Sequence, residues 1–121
     1  MSERILFNCT HGKEDPERAT LPFVAANIAV ASGQQAAVVC TIDAVWLGTE
    51  GGADGIHHEG LAPLTELYES FVGGGGEVWL CSACTKPRGI TEEKVAKGAQ
   101  IVGAAHVVEE IVNGAKAVSF A

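Results

Sequence analysis

Three short apolar runs constrain the fold of this chain more than any other feature. Ile5-Leu6-Phe7-Asn8-Cys9, Ala36-Ala37-Val38-Val39-Cys40 and Val78-Trp79-Leu80-Cys81 are nearly continuous in apolar character rather than alternating with polar residues. Runs of this kind suit strands covered on both faces, as in a parallel sheet. Each is followed by turn residues and then a helical segment, the pattern of right-handed βαβ units in one α/β sandwich. A fourth run, Ala115 to Phe120, ends the chain, and Gln100-Ile101-Val102 suits a very short strand before it.

The helices announce themselves by their ends. Asp15-Pro16-Glu17 supplies a cap, a proline at the first helical position and an acid near the positive dipole end. Pro22 removes one ladder hydrogen bond, so a kink or a restart capped by Thr20 is expected there. Ala25 through Ser32 completes that helix, and Gly33 stops it. A second helix is expected over Leu61–Val72, ended by Gly73-Gly74-Gly75-Gly76, and a third from Thr91 through Ala96. A fourth covers Ala104–Val112, with Gly114 beyond it, and the Glu109-Glu110 pair reads as its solvent face.

Composition removes whole classes of function. With 121 residues, the chain suits one domain, 1–121, large enough to fold without disulfide staples. A net charge of −7 without any basic run argues against nucleic acid, whose phosphates demand clustered Lys and Arg. No apolar stretch approaches the ~20 residues of a membrane span. The opening residues lack the pattern of a secretory signal, so the four cysteines are expected as cytosolic thiols.

In a parallel sheet all strand ends share one edge, where ligands bind in such folds. Cys9, Cys40 and Cys81 fall there, joined by Asn8, His11 and Asp43. Cys40 reads as a core side chain; Cys9 reads equally as core or as part of a site. Ala44 to Gly60 carries five glycines with Trp46, Asp54, His57, His58 and Glu59. At about 17 residues it exceeds ordinary connections and is expected to be a lid or interface loop. His57-His58 reads as a solvated pair, with metal binding or proton shuttling as the sharper alternative, and His106 as structural.

Cys81-Ser82-Ala83-Cys84 leaves a strand, with Lys86 and Arg88 close behind. Exposed backbone N–H groups and basic neighbours favour thiolate over thiol, and thiolate is what attack on sulfur requires. The spacing also serves zinc sites and redox pairs. A structural zinc takes four ligands, and a single cysteine pair is present, so no metal and no cofactor is expected. The four-glycine run precedes a strand, so it reads as a helix stop rather than a phosphate cradle.

From Leu80 to Ile90 the sequence resembles the cysteine loop of the DsrE/DsrF-like family, particularly its YchN-type branch. That branch carries Cys-x-x-Cys-Thr-x-x-Arg-Gly-Ile after its third strand. Asp43-Ala44-Val45 before a glycine-rich loop, and Ala115 to Phe120 after the last helix, extend the resemblance over nearly the whole chain. It implies an α/β three-layer sandwich with a mostly parallel, roughly five-stranded sheet and helices on both faces, assembled as a homotrimer or homohexamer. It also implies sulfur relay, in which a cysteine accepts sulfane sulfur as a persulfide and passes it on.

The motif's first cysteine matches Cys81 and its second Cys84. The resulting expectation is a cytoplasmic sulfur carrier, sulfurtransferase-like, with Cys81, Cys84 and Arg88 as catalytic residues. Lys86, Asn8, His11, Asp43, His57 and His58 are the expected substrate- or partner-binding residues. The partners are sulfur donor and acceptor proteins rather than nucleic acid or membrane. Two other readings stay open: a thiol-disulfide protein or sensor cycling Cys81 and Cys84, and a non-enzymatic oligomeric binding module.

Overall fold

A computed structural model describes residues 3–120. Five strands form one parallel sheet in the order β4-β3-β2-β1-β5: β1 is Ile5–Cys9, β2 Ala36–Cys40, β3 Glu77–Cys81, β4 Ala99–Val102 and β5 Lys116–Val118. The helices are α1 (Pro16–Ala31), α2 (Leu64–Gly73), α3 (Ser82–Thr85) and α4 (Ala104–Val112). Successive strands β1 to β4 step across the sheet in one direction, with α1 and α2 against one face. The return from β4 to β5 runs the opposite way, so the same handedness puts α4 on the other face. The chain is thus an α/β three-layer sandwich, as expected.

Strand alternation divides the core. Phe7, Val38, Val78 and Leu80 pack with Phe23 of α1 and with Tyr68 and Phe71 of α2. The Phe23 and Phe71 rings meet edge to face, 6.1 Å between centroids. Leu6, Ala37, Val39 and Trp79 form the second, smaller core, against which Val107 of α4 packs. His106 lays its ring edge-to-face on Trp79 at 4.6 Å, a structural role. Glu109 is exposed, but Glu110 differs from the expected solvent face: it pairs with Arg4 at 3.2 Å, tying α4 to the start of β1.

Asp15 caps α1 as read, accepting from the Arg18 amide at 3.1 Å. The helix then runs through Pro22 without a restart. Thr20, rather than capping, turns its hydroxyl back to the Pro16 carbonyl at 2.6 Å. α1, α2 and α4 all end in the same way, with a left-handed glycine (Gly33, Gly75 and Gly114) and paired return bonds such as Gly76 N–H to Phe71 O.

Two further segments depart from expectation. The helix from Thr91 shrinks to one 3-10 turn, Glu92–Lys94. Its backbone is claimed elsewhere: Val95 bridges Thr49, and the Ala96 amide bonds the Gly48 carbonyl at 2.7 Å. The segment from Ala44 to Gly60, expected as a lid or interface loop, is anchored in the core rather than free to move as a lid. Its first residues belong to the 3-10 turn Ile42–Gly48, and Ala44, Val45, Leu47, Ala53 and Ile56 are buried.

Candidate functional site

Parallel pairing brings Cys9, Cys40 and Cys81 to one sheet edge as the last residues of β1, β2 and β3. Their surroundings separate them. Cys9 and Cys40 are in-register neighbours, both buried, on the face covered by α1 and α2. A hydrogen bond with Cys9, reinforced by burial, pushes the Cys40 thiol well above its ordinary range. The Cys9 thiol faces the His11 and Ala19 carbonyls at 3.7 Å. These two are core groups.

Cys81 is half-exposed. Because Val78 and Leu80 face α1 and α2 while Trp79 faces the other core, the alternation of β3 turns Cys81 toward the α4 side. Its in-register neighbour on β4 is Val102, and the next residue, Gly103, is the N-cap of α4. A Cβ on Gly103 would lie 4.0 Å from the Ser82 hydroxyl, so the start of α4 closes on the residue after Cys81. Among the described residues no side chain caps that end. Its leading N–H groups therefore bring the positive end of the helix dipole to the edge where the thiol sits.

Cys84 is also half-exposed, yet it packs against the core on the α1 and α2 side. Its carbonyl accepts from Arg88 Nη1 at 3.1 Å. The other Arg88 nitrogens, Nε and Nη2, bond Asp43 Oδ1 at 3.2 and 3.1 Å. Arg88 thus fastens the cysteine loop to the turn after β2 instead of pointing a free charge at sulfur. Left-handed Gly89 reverses the chain, and the Ile90 amide closes the loop on the Thr85 carbonyl at 3.1 Å. Lys86 stands exposed on this loop.

The remaining sequence candidates divide. Asn8 lies on the same face as Leu6, hence on the Cys81 side, and donates to the Ser119 hydroxyl at 2.9 Å. With Thr10, Thr41 and Phe120 these two line a cavity of about 410 Å³. His11 pairs with Glu14 at 2.9 Å beside the β1 end. His57 bonds the Leu61 carbonyl at 2.8 Å, and His58 approaches Glu17 of α1 at 3.5 Å, so their contacts lead away from the cysteine loop. Among the described residues no group of three His, Cys, Asp or Glu side chains gathers as a metal-ligand set.

Three features escaped the sequence reading. Thr41 and Ser119 join Asn8 through strand order, which no local pattern encodes. Ile42 is a β-branched residue held at φ +56°, 52% exposed, immediately before Asp43. Such a conformation is costly and persists where surrounding structure imposes it. Its only sequence signal is its place between a strand end and an acid.

Comparisons agree with this architecture. The ychN protein of E. coli superposes with a TM-score of 0.77 at 19% identity, covering 99% of this chain and 100% of that one. MTH1491 of Methanobacterium thermoautotrophicum, a protein of unknown function, gives 0.76 at 17% identity, covering 98% and 100%. BT1422 of Bacteroides thetaiotaomicron gives 0.65 at 16% identity, covering 98% and 95%. In sequence, MJ0760 of Methanocaldococcus jannaschii, an uncharacterized protein, is 25% identical over 104 residues, 86% of this chain but only 38% of that longer protein. The match to a family is nearly complete, over residues 3–120: the chain belongs to the DsrE/DsrF-like family.

Proposed function

We propose that the protein is a cytoplasmic sulfur carrier in which Cys81 holds sulfane sulfur as a persulfide. One observation carries this reading: of three thiols ending strands at one sheet edge, Cys81 alone is half-exposed while Cys9 and Cys40 are buried. Membership of a family that works in sulfur relay supports it. The Cys81 thiolate attacks the outer sulfur of a donor persulfide R–S–SH. The donor's S–S bond breaks, Cys81–S–SH forms and the donor leaves as R–S⁻. An acceptor thiolate then attacks the outer sulfur in turn, takes it with its proton as R′–S–SH and restores the Cys81 thiolate. No external oxidant or reductant enters either step.

In this reading the N-terminal end of α4 stabilises anionic sulfur, and Arg88 acts as a positioning residue through the Cys84 carbonyl. Lys86 is the exposed cation available to a docking partner, with donor and acceptor proteins approaching across the strand ends. Asn8 lines the approach from β1; His11 and Asp43 border it, while His57 and His58 are left to a peripheral role in partner contact. Assembly as a homotrimer or homohexamer is part of the proposal. A dithiol-disulfide cycle is less well supported, because Cys84 packs toward the face opposite the one Cys81 occupies.

Mass spectrometry after exposure to a small-molecule persulfide tests the assignment. Wild type and Cys84→Ser are expected to gain the mass of sulfur, and Cys81→Ser to gain none. An adduct that survives in Cys81→Ser and vanishes in Cys84→Ser would overturn it.

A further inference from the structure

A second cavity, of about 560 Å³, opens at the same edge where the β1–α1 connection meets the turn after β2. Its volume suits a small ligand. Lys13 and Glu14 form one wall, Asp43 and Trp46 another, and the glycine-rich segment with Asp54 closes it. This is a built site rather than a gap between mobile loops. A Cβ on Gly12 would fall 2.7 Å from the Asp43 carbonyl oxygen, and one on Gly52 only 1.7 Å from that of Trp46. Main chain therefore touches main chain on both sides, which fixes the walls without a ligand.

The chemistry of the lining is specific. Trp46 is 40% exposed, a large aromatic surface turned to solvent on the wall, whereas Trp79 is buried. Glu14 is committed to its own loop, accepting the Gly12 amide at 2.7 Å and pairing with His11. The two bonds that Asp43 accepts from Arg88 both end on its Oδ1. The Asp54 carboxylate belongs to an exposed residue. An aromatic face flanked by carboxylates is the arrangement that recognises organic cations, and it is disfavoured for anions. Among the described residues that line the cavity Lys13 is the one cation, exposed on a long stem that can swing aside.

We propose that this cavity binds a small organic cation, an amine or guanidine, with its alkyl part on Trp46 and its charge shared between Asp54 and Asp43. The same chemistry is carried by a free amine and by a Lys or Arg side chain of another protein. The site goes beyond the thiol chemistry and does not depend on it.

Isothermal calorimetry on the full chain at constant ionic strength tests this with n-butylammonium, methylguanidinium, the uncharged n-butanol, inorganic phosphate and the tripeptide Gly-Arg-Gly. Saturable binding of the cations is expected, with n-butanol and phosphate silent. Tighter binding of the tripeptide than of methylguanidinium assigns the cation to a protein side chain; the reverse order assigns it to a free metabolite. Trp46→Leu and Asp54→Asn should each weaken binding by about fivefold to tenfold. Lys13→Ala should strengthen it, and Cys81→Ser should leave it unchanged, which separates this site from sulfur transfer. Absence of saturable cation binding, phosphate binding more tightly than the amines, or undiminished affinity in folded Asp54→Asn would overturn the proposal.

Discussion

Arg88 donates from Nε and Nη2 to one oxygen of Asp43, at 3.2 and 3.1 Å, and so fastens the cysteine loop to the turn that follows β2. Its remaining nitrogen, Nη1, holds the Cys84 carbonyl. The motif's arginine is thereby a bracket for the loop, and the strained backbone at Ile42 presents the carboxylate it grips.

Removing the carboxylate should loosen the loop more than it destabilises the fold. Asp43 is half-buried at best, so water screens the pair and Asp43→Ala should cost about 1 kcal/mol or less. A fall in melting temperature of about 2–4 °C is the corresponding expectation. Alkylation of Cys84 should accelerate in the same variant, and an unchanged rate would mean that Arg88 does not hold the loop. Arg88→Lys should behave similarly, since an ammonium cannot reproduce the forked contact.

The tetraglycine run should respond with opposite signs at two positions. Gly73 is the last residue of α2, with open space where a Cβ would stand. Gly73→Ala should stabilise by up to ~1 kcal/mol through helix propensity. At Gly76 a Cβ would lie 2.3 Å from the buried Phe71 ring, and overpacking of this kind costs about 1–3 kcal/mol. Thermal melting of the two variants should therefore move in opposite directions.

The four thiols should divide into two classes. Native protein treated with iodoacetamide is expected to be labelled at Cys81 and Cys84, and at Cys9 and Cys40 only after denaturation, as peptide mapping would read.

Alkaline stability gives a separate check on the buried pair. The folded Cys40 thiol stays protonated above the ordinary thiol value, whereas the unfolded chain releases that proton near pH 8.5. The unfolded state then binds fewer protons, so stability is intact below about pH 8.5 and falls as pH rises beyond it. The slope is about 1.4 kcal/mol per pH unit for one such group. Tyr68, raised chiefly by burial, adds a further loss above its own ordinary value near pH 10. Denaturant titrations across pH 8 to 11 should show a shallower decline in Cys40→Ala.

Much of this fold was legible because its signals are local. The apolar runs ending at Cys9, Cys40 and Cys81 mark doubly covered strands, and Asp15-Pro16 marks the start of α1. Tertiary pairing defeated the same logic at Thr91, where the capping pattern is sound but residues 94 to 96 bond to residues 48 to 50 instead. The glycines between Ala44 and Gly60 read in the sequence as those of a lid or interface loop. Two of them answer close approach instead: a Cβ on Gly48 would stand 2.5 Å from Leu80, and one on Gly52 would collide with the Trp46 carbonyl. At the site, the cysteine motif and Asp43 were readable, but their connection through Arg88 was not. Nor was the arrival of α4 beside Cys81, which follows from β4 lying next to β3.

The most direct test of the central claim is a loading and discharge experiment on Cys84→Ser, followed by intact mass. After exposure to a persulfide donor and its removal, this variant should carry one added sulfur atom and lose it when an acceptor thiol is supplied. Failure of Cys84→Ser to load, or equal loading of Cys81→Ser, would contradict a carrier built on Cys81.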